Sequence, residues 1–271
     1  MLSKLDTILI CLITFTMLFI YFYSEHESEI ESFTSNELKI YFINMDQNID
    51  RWNKIKNSLP NLVRFKGING KELVPDELIK KGLIQDKNDL LPGQLGCAMS
   101  HLGVMNKIKD QSEEYALILE NDVIIPENFQ EIIEDLKKYF PDNWDIIFLG
   151  GCNIVGKKHN EKMIKPTDIS GTKNLCMHAV LVHKKNVQKV IDVLTPLYRP
   201  IDSQLRDHYN ELEVFYANPN IINQNKELIS NRRVLDGLPQ SAYWKAHHMD
   251  ITLESFGNQY LDIETENYKY L

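Results

Sequence analysis

Runs of consecutive apolar residues alternate along this chain with segments whose apolar residues return every third or fourth position. That alternation limits the fold more than any other feature. The runs are KIYFINM (Lys39–Met45), VRFKGI (Val63–Ile68), YALIL (Tyr115–Leu119), WDIIFLGG (Trp144–Gly151) and MHAVLVH (Met177–His183). Between and after them stand helical spacings: Ile49, Trp52, Ile55 and Leu59; Leu95, Met99, Leu102, Met105 and Ile108; Phe129, Ile132, Ile133 and Leu136; Val187, Val190, Ile191 and Leu194. Strands that are apolar throughout, rather than at every second residue, have both faces covered. The pattern therefore predicts an α/β fold with a mostly parallel sheet flanked by helices. Ligands of such sheets bind beyond the carboxyl ends of the strands. No Gly-rich dinucleotide or P-loop motif and no nucleophile elbow occurs, which removes the usual signatures of those chemistries.

The flanks read differently. Thr7–Tyr23 is uncharged and almost wholly apolar, near the short limit for crossing a bilayer, and it ends in bulky aromatics rather than a small-residue cleavage site. Residues 1–23 are expected to be a short cytosolic tip and a transmembrane signal-anchor. Lys4 precedes the run and no Lys or Arg follows until Lys39, so a cytosolic N-terminus and a lumenal or extracytoplasmic domain are expected. Residues 24–37 are acidic and Ser-rich, as in a stem. The globular domain is expected over 38–235, followed by an extension of unassigned role over 236–271. A formal net charge of −8 and the lack of a basic block argue against nucleic acid as a partner. Outside the anchor only Cys97, Cys152 and Cys176 remain, enough for one disulfide, and no zinc-type Cys/His spacing is evident.

The stretch ALILENDVIIP (Ala116–Pro126) sets Glu120, Asn121 and Asp122 inside an otherwise apolar run. A buried carboxylate must be paired, solvated or bound to a cation. Three readings stand open: a strand end presenting both acids to a hard cation such as Mg²⁺ or Mn²⁺, a hairpin turn, or a solvated loop.

Several pieces in order resemble glycosyltransferase family 25. They are INMDQNIDRW, RFKGINGKEL, LLPGQLGCAMSHLGVMNKI, YALILENDV, WDIIFLG, MHAVLVHKKNVQKVI, RPIDSQL and PNIINQNKELIS. The Gly-Cys…Ser-His block and the acidic triplet are the most specific of these, and the resemblance covers residues 39 to 231. It implies a GT-A-type, Rossmann-like domain with a mixed, mostly parallel sheet that uses a nucleotide sugar, UDP-linked first, and a divalent cation, Mn²⁺ or Mg²⁺, with inversion at the anomeric carbon. By match to the family's acidic motif, Glu120 and Asp122 are the metal candidates, with Asn121 in place of the middle acid. Asp202 is the candidate general base, or else a helix N-cap. Asn44, Arg51, Ser100, His101, Glu120, His178 and Gln224 are candidates for the donor site; Arg51 also fits an ordinary surface residue and His101 an ordinary core one. Ser203 and Val180 stand where relatives carry a Trp and an aromatic.

The expected function is a membrane-anchored hexosyltransferase, for galactose or glucose, acting on a hydroxyl of a glycan or protein. The alternative is a catalytically silent relative that binds glycan or scaffolds an active enzyme.

Overall fold

The structure, a computed structural model, describes Met17 and residues 38–225 apart from Lys87, Asp89, Asp168, Ile169 and Thr172. The expected stem, the extension over 236–271 and, but for Met17, the expected anchor lie outside the described residues. Among these residues no helix is long and apolar enough to cross a membrane. The chain divides into Met1–Leu38 and Lys39–Leu271, and the elements below belong to the second unit apart from Leu38 itself.

The first apolar run forms β1 (Leu38–Asn44), where Ile40, Tyr41 and Phe42 are buried in succession, as a strand covered on both faces requires. A 3₁₀ turn at Asp46–Asn48 leads into α1 (Ile49–Ile55), and β2 (Leu62–Lys66) returns parallel to β1, with Phe42 opposite Arg64. A second 3₁₀ turn (Gly70–Glu72) and α2 (Pro75–Lys80) precede α3 (Pro92–Asp110). Pro92 opens α3 at a position where a missing N–H costs nothing. This helix is buried on most of its circumference, from Leu95 to Ile108, and lies at the centre of the core.

β3 (Tyr115–Glu120) follows, then a turn at Asn121–Asp122, the short β4 (Val123–Ile124) and α4 (Phe129–Lys137). β5 (Ile146–Cys152) is followed by the hairpin strands β6 (Gly156–Lys158) and β7 (Met163–Pro166), then by β8 (Leu175–His183). The chain continues through α5 (Val187–Leu194), α6 (Ile201–Asp207), β9 (Val214–Ala217) and β10 (Asn223–Gln224).

Eight strands form one sheet in the order β2-β1-β3-β8-β5-β9-β7-β6. The α/β class, the flanking helices and the mixed sheet are as expected. β3, β5, β9 and β6 share a direction, but β8 runs against both β3 and β5, and β7 runs against β9 and β6. The physical reason is local. The chain goes from β5 to β8 through the β6–β7 hairpin rather than through a helix, and only antiparallel neighbours can be joined without a long crossover. This arrangement puts the carboxyl ends of β3 and β5 and the amino end of β8 on one edge of the sheet, with Leu119 opposite Ala179 and Cys152 opposite Leu175.

Candidate active site

β3 ends at Glu120, and the polar triplet is the place where the chain leaves the sheet. β3 and β4 do not pair as a hairpin; β4 instead pairs with β10, Val123 opposite Gln224, in a separate two-stranded ribbon. The hairpin reading of the triplet is thereby removed. The alternation of an extended strand stops at Glu120 too, and the two acids meet different neighbours. Glu120 Oε1 lies 3.2 Å from His101 Nε2 and 3.4 Å from Cys97 Sγ on α3. Asp122 is met by Gln224, whose Nε2 stands 3.5 Å from Asp122 Oδ2, and its carbonyl accepts a 2.5 Å hydrogen bond from Asn225 N–H. Between them, Asn121 Oδ1 accepts a 2.9 Å hydrogen bond from the Arg51 guanidinium of α1. An Asp at this position would make that contact an ion pair; the neutral amide leaves the charge of Arg51 unopposed by residue 121.

The Gly-Cys…Ser-His block separates into two pairs, each spaced four residues apart and so each on its own strip of α3. Gly96 and Ser100 face the loop after β2. A Cβ on Gly96 would sit 2.5 Å from Ile68 O and 2.7 Å from Gly70 N, so only glycine allows the helix to come this close. Ser100 is buried, donates to Gly96 O at 2.7 Å and accepts from Ile68 N–H at 2.8 Å. Cys97 and His101 form the other pair and face Glu120. His101 is fully buried, Cys97 partly so.

Asn44 ends β1 in full burial. Its Nδ2 donates to Asn48 O at 2.9 Å, and its Oδ1 accepts from Arg64 Nε at 3.0 Å. Arg64 also pairs with Asp46 at 2.6 Å, and Lys66 reaches the same carboxylate at 2.7 Å. The hydrogen bonds from Lys66 first and Arg64 second hold the Asp46 carboxyl below its ordinary range. Two cations beside the end of β1 escape a reading based on apolar runs. The signal for them was the Arg64-x-Lys66 alternation on β2, which sends both side chains to one side.

Asp202 lies in the first turn of α6 behind the N-cap residue Pro200, so the position is helical rather than the cap. Its Oδ1 accepts from Ser203 N–H at 2.8 Å and from the Ser203 hydroxyl at 3.4 Å; its Oδ2 accepts from Cys176 N–H at 3.4 Å. Cys176 is the second residue of β8 and is joined to Cys152, at the end of β5, by the one disulfide among the described residues; Cys97 takes no part in it. Beneath this corner the hydroxyls of Tyr209 and Tyr216 lie 2.7 Å apart, and Tyr216 donates to Asn174 O at 3.0 Å. Burial, more than any other cause, pushes both tyrosines up, with the charge of Asp202 adding to the shift, so at neutral pH they act as donors and not as bases.

His178, two residues into β8 from Cys176, is buried with Nε2 3.0 Å from Ile222 O. A Cβ on Gly150 of β5 would fall 1.9 Å from Ile222 O and 2.4 Å from His178 Nε2. These contacts bring the segment before β10 across the end of the sheet and deliver Gln224 to Asp122. The candidates thus fall into three sets. Glu120 and His101 meet directly, Arg51 and Gln224 meet the rest of the triplet, and Asn44, Ser100, His178 and Asp202 each bond to the framework around it.

Residues 37–205 match the family described as Glycosyltransferase family 25 (LPS biosynthesis protein). A "Glycosyltransferase 25 family member" of Aedes aegypti is 23% identical over 207 residues, covering 68% of this chain and 33% of that protein. "Procollagen galactosyltransferase 1-B" of Xenopus laevis is 27% identical over 128 residues, covering 41% of this chain and 21% of that protein. The chain spans a third or less of the length of these two curated relatives. Among solved structures, the apo-form glycosyltransferase GlyE of Streptococcus pneumoniae TIGR4 aligns with a TM-score of 0.37 at 10% identity, covering 80% of this chain and 61% of that one. Mouse xyloside xylosyltransferase 1, apo form, aligns with a TM-score of 0.34 at 10% identity, covering 64% and 68%.

Proposed function

Because the chain belongs to glycosyltransferase family 25, we propose that it transfers a hexose, galactose or glucose, from a UDP-sugar to a hydroxyl of a glycan or protein acceptor, with inversion and with Mn²⁺ or Mg²⁺. The observation that carries this reading is the triplet at the carboxyl end of β3. There a carboxylate-bearing turn leaves the sheet and is met by Arg51 from α1 and Gln224 from β10. That is where α/β sheets bind ligands, and the set suits a nucleoside diphosphate.

Glu120 and Asp122, two residues apart in sequence, supply hard oxygen donors of the kind Mn²⁺ and Mg²⁺ take. The cation, when bound there, offsets negative charge on the departing diphosphate. Arg51 adds a guanidinium suited to a phosphate oxygen. Asp202 is the proposed base. A base must face the acceptor hydroxyl in a fixed orientation. The Ser203 and Cys176 hydrogen bonds supply that orientation, with the second anchored by the disulfide to β5.

The silent-relative reading draws on three departures, and two of them lose force. Val180 is fully buried between Ile118 and Phe148 of the neighbouring strands, so that change belongs to the core. Ser203 supports Asp202 through its own N–H. Asn121 alone replaces an acid of the triplet. The disulfide supports a domain residing in an oxidising compartment, in keeping with an anchored, lumenal or extracytoplasmic enzyme.

The test is a panel of UDP-, GDP- and CMP-sugars assayed for donor hydrolysis with and without Mn²⁺. Hydrolysis of a UDP-hexose that requires the metal and is lost in Asp122→Ala is the expected result. Binding of UDP without turnover on any donor or acceptor would favour the silent reading instead.

A further inference from the structure

The Cys97–His101 strip of α3 does something that a site for Mn²⁺ or Mg²⁺ does not need. Cys97 Sγ, His101 Nε2 and Glu120 Oε1 lie within 4.8 Å of one another. Two of the three separations are 3.2 Å (His101 to Glu120) and 3.4 Å (Cys97 to Glu120). Sulfur, nitrogen and oxygen ligands of a tetrahedral Zn²⁺ sit about 2.0–2.3 Å from the ion, which places them roughly 3.3–3.6 Å from each other. Both separations from Glu120 Oε1 are thus close to those between ligands of one ion, and the third lies within 4.8 Å.

We infer that Cys97, His101 and Glu120 form a binding site for a thiophilic divalent cation of the Zn²⁺ type, with a fourth position left for an exogenous ligand. Glu120 is common to this site and to the proposed Mn²⁺ or Mg²⁺ site, but Cys97 and His101 are not, and the inference stands whether or not the chain transfers a sugar.

Three further features point the same way. The four-residue spacing on α3 fixes the thiol and the imidazole on one face, so both ligands are set by a rigid, buried helix rather than by a loop. His101 is 0% exposed and turns Nε2 to Glu120; its Nδ1, on the far side of the ring, has no hydrogen-bond partner. Glu120 comes from the end of a central strand, so a second rigid element supplies the third donor. A donor set of thiolate, imidazole and carboxylate selects Zn²⁺ or Co²⁺ over Mg²⁺ and Mn²⁺, which prefer oxygen alone. Cys97 binds as the thiolate, its proton passing to solvent.

Two properties follow. Three protein ligands and an open position describe an exchangeable ion rather than a closed structural one. The lack of an acceptor for His101 Nδ1 removes the usual support of a zinc-bound imidazole, which typically contributes about 10–100-fold in affinity.

The test uses Co²⁺ as a spectroscopic probe on the full-length protein. Titration is expected to produce thiolate-to-cobalt charge-transfer absorption together with tetrahedral ligand-field bands, at one equivalent, and Zn²⁺ is expected to displace them. Cys97→Ser is expected to abolish the charge-transfer band, and His101→Gln to weaken Co²⁺ binding at least about tenfold, the lower end expected even for a supporting residue. A second measurement needs no variant: Zn²⁺ should slow alkylation of Cys97 by iodoacetamide at least tenfold, as followed by peptide mass spectrometry, while Mg²⁺ should not.

The inference is overturned if excess Co²⁺ gives no charge-transfer band, if the band survives Cys97→Ser, or if Zn²⁺ leaves the alkylation rate unchanged. Asp122→Ala separates this site from the transfer reaction. It should keep the cobalt spectrum while losing metal-dependent donor hydrolysis. A wild-type protein with the cobalt spectrum and no hydrolysis of any donor would support the inference and count against the proposed function.

Discussion

Ser100→Ala separates a residue that holds the site together from one that touches the donor. The Ser100 hydroxyl lies in a buried position between α3 and the loop after β2, accepting from Ile68 N–H at 2.8 Å and donating to Gly96 O at 2.7 Å. Losing the second bond costs little, because Gly96 O sits within a helix and keeps its backbone partner. Losing the first leaves Ile68 N–H without an acceptor. A buried unsatisfied donor costs about 1–3 kcal/mol, and the partial exposure of Ile68 puts the expected loss near the lower half, roughly 1–2 kcal/mol. For a domain of this size, about 2–4 °C of melting temperature is lost per kcal/mol, which gives a fall of roughly 2–8 °C. Thermal unfolding by circular dichroism would measure it, with UDP affinity measured in parallel well below the transition. The reasoning requires a lower melting temperature with UDP affinity kept within about twofold. An unchanged melting temperature together with a tenfold loss of UDP affinity would refute it and return Ser100 to the donor site.

Replacing both Cys152 and Cys176 by Ser opens a loop closed over a sequence separation of 24 residues and should cost about 2–4 kcal/mol, read as a shift in urea midpoint that reductant reproduces in the wild type. Burial lowers the His183 pKa beneath its ordinary 6.5, outweighing the pull of Glu114, so the unfolded chain binds more protons once pH drops below that value. The contribution is complete above about pH 6.5 and is lost on acidification; His183→Gln should flatten the fall in urea midpoint between about pH 7 and pH 5, and an unchanged slope would count against it. Asn121→Asp places a carboxylate 2.9 Å from the Arg51 guanidinium and adds a third acid to the triplet. Half-maximal activation by Mn²⁺ should move to lower metal concentration, and an unaltered activation curve would mean that residue 121 lies outside the metal's reach.

What could be read from the residues alone was the class of fold and the place of the chemistry. β3, β5 and β8 are apolar throughout, so their existence followed from pattern, and α4 and α5 carried a period that left little choice. The direction of β8 was not legible, since an apolar strand reads the same in either direction and the β6–β7 hairpin is short and mostly polar. β4 and β10, each two residues long, carry no period at all, yet they turn the triplet away from the sheet. The alternation rule placed Glu120 and Asp122 on one side; it stopped applying one residue too early. The Gly-Cys…Ser-His block was visible as a unit; the structure divides it into a pair that packs on the loop after β2 (Gly96, Ser100) and a pair that faces Glu120 (Cys97, His101). The Cys97–His101 pair was not read as a metal spacing, because its third member, Glu120, arrives from another element.

The central claim is that the turn after β3 holds a metal-bound nucleoside diphosphate. Calorimetric titration of UDP into the full-length protein, with and without Mn²⁺, tests it most directly. The account predicts binding that requires Mn²⁺ and is at least about tenfold weaker in Asp122→Ala, the loss of about 1.4 kcal/mol expected as a minimum for removing one charge-assisted contact. UDP binding that is absent under every metal condition, or equal in wild type and Asp122→Ala, would contradict it.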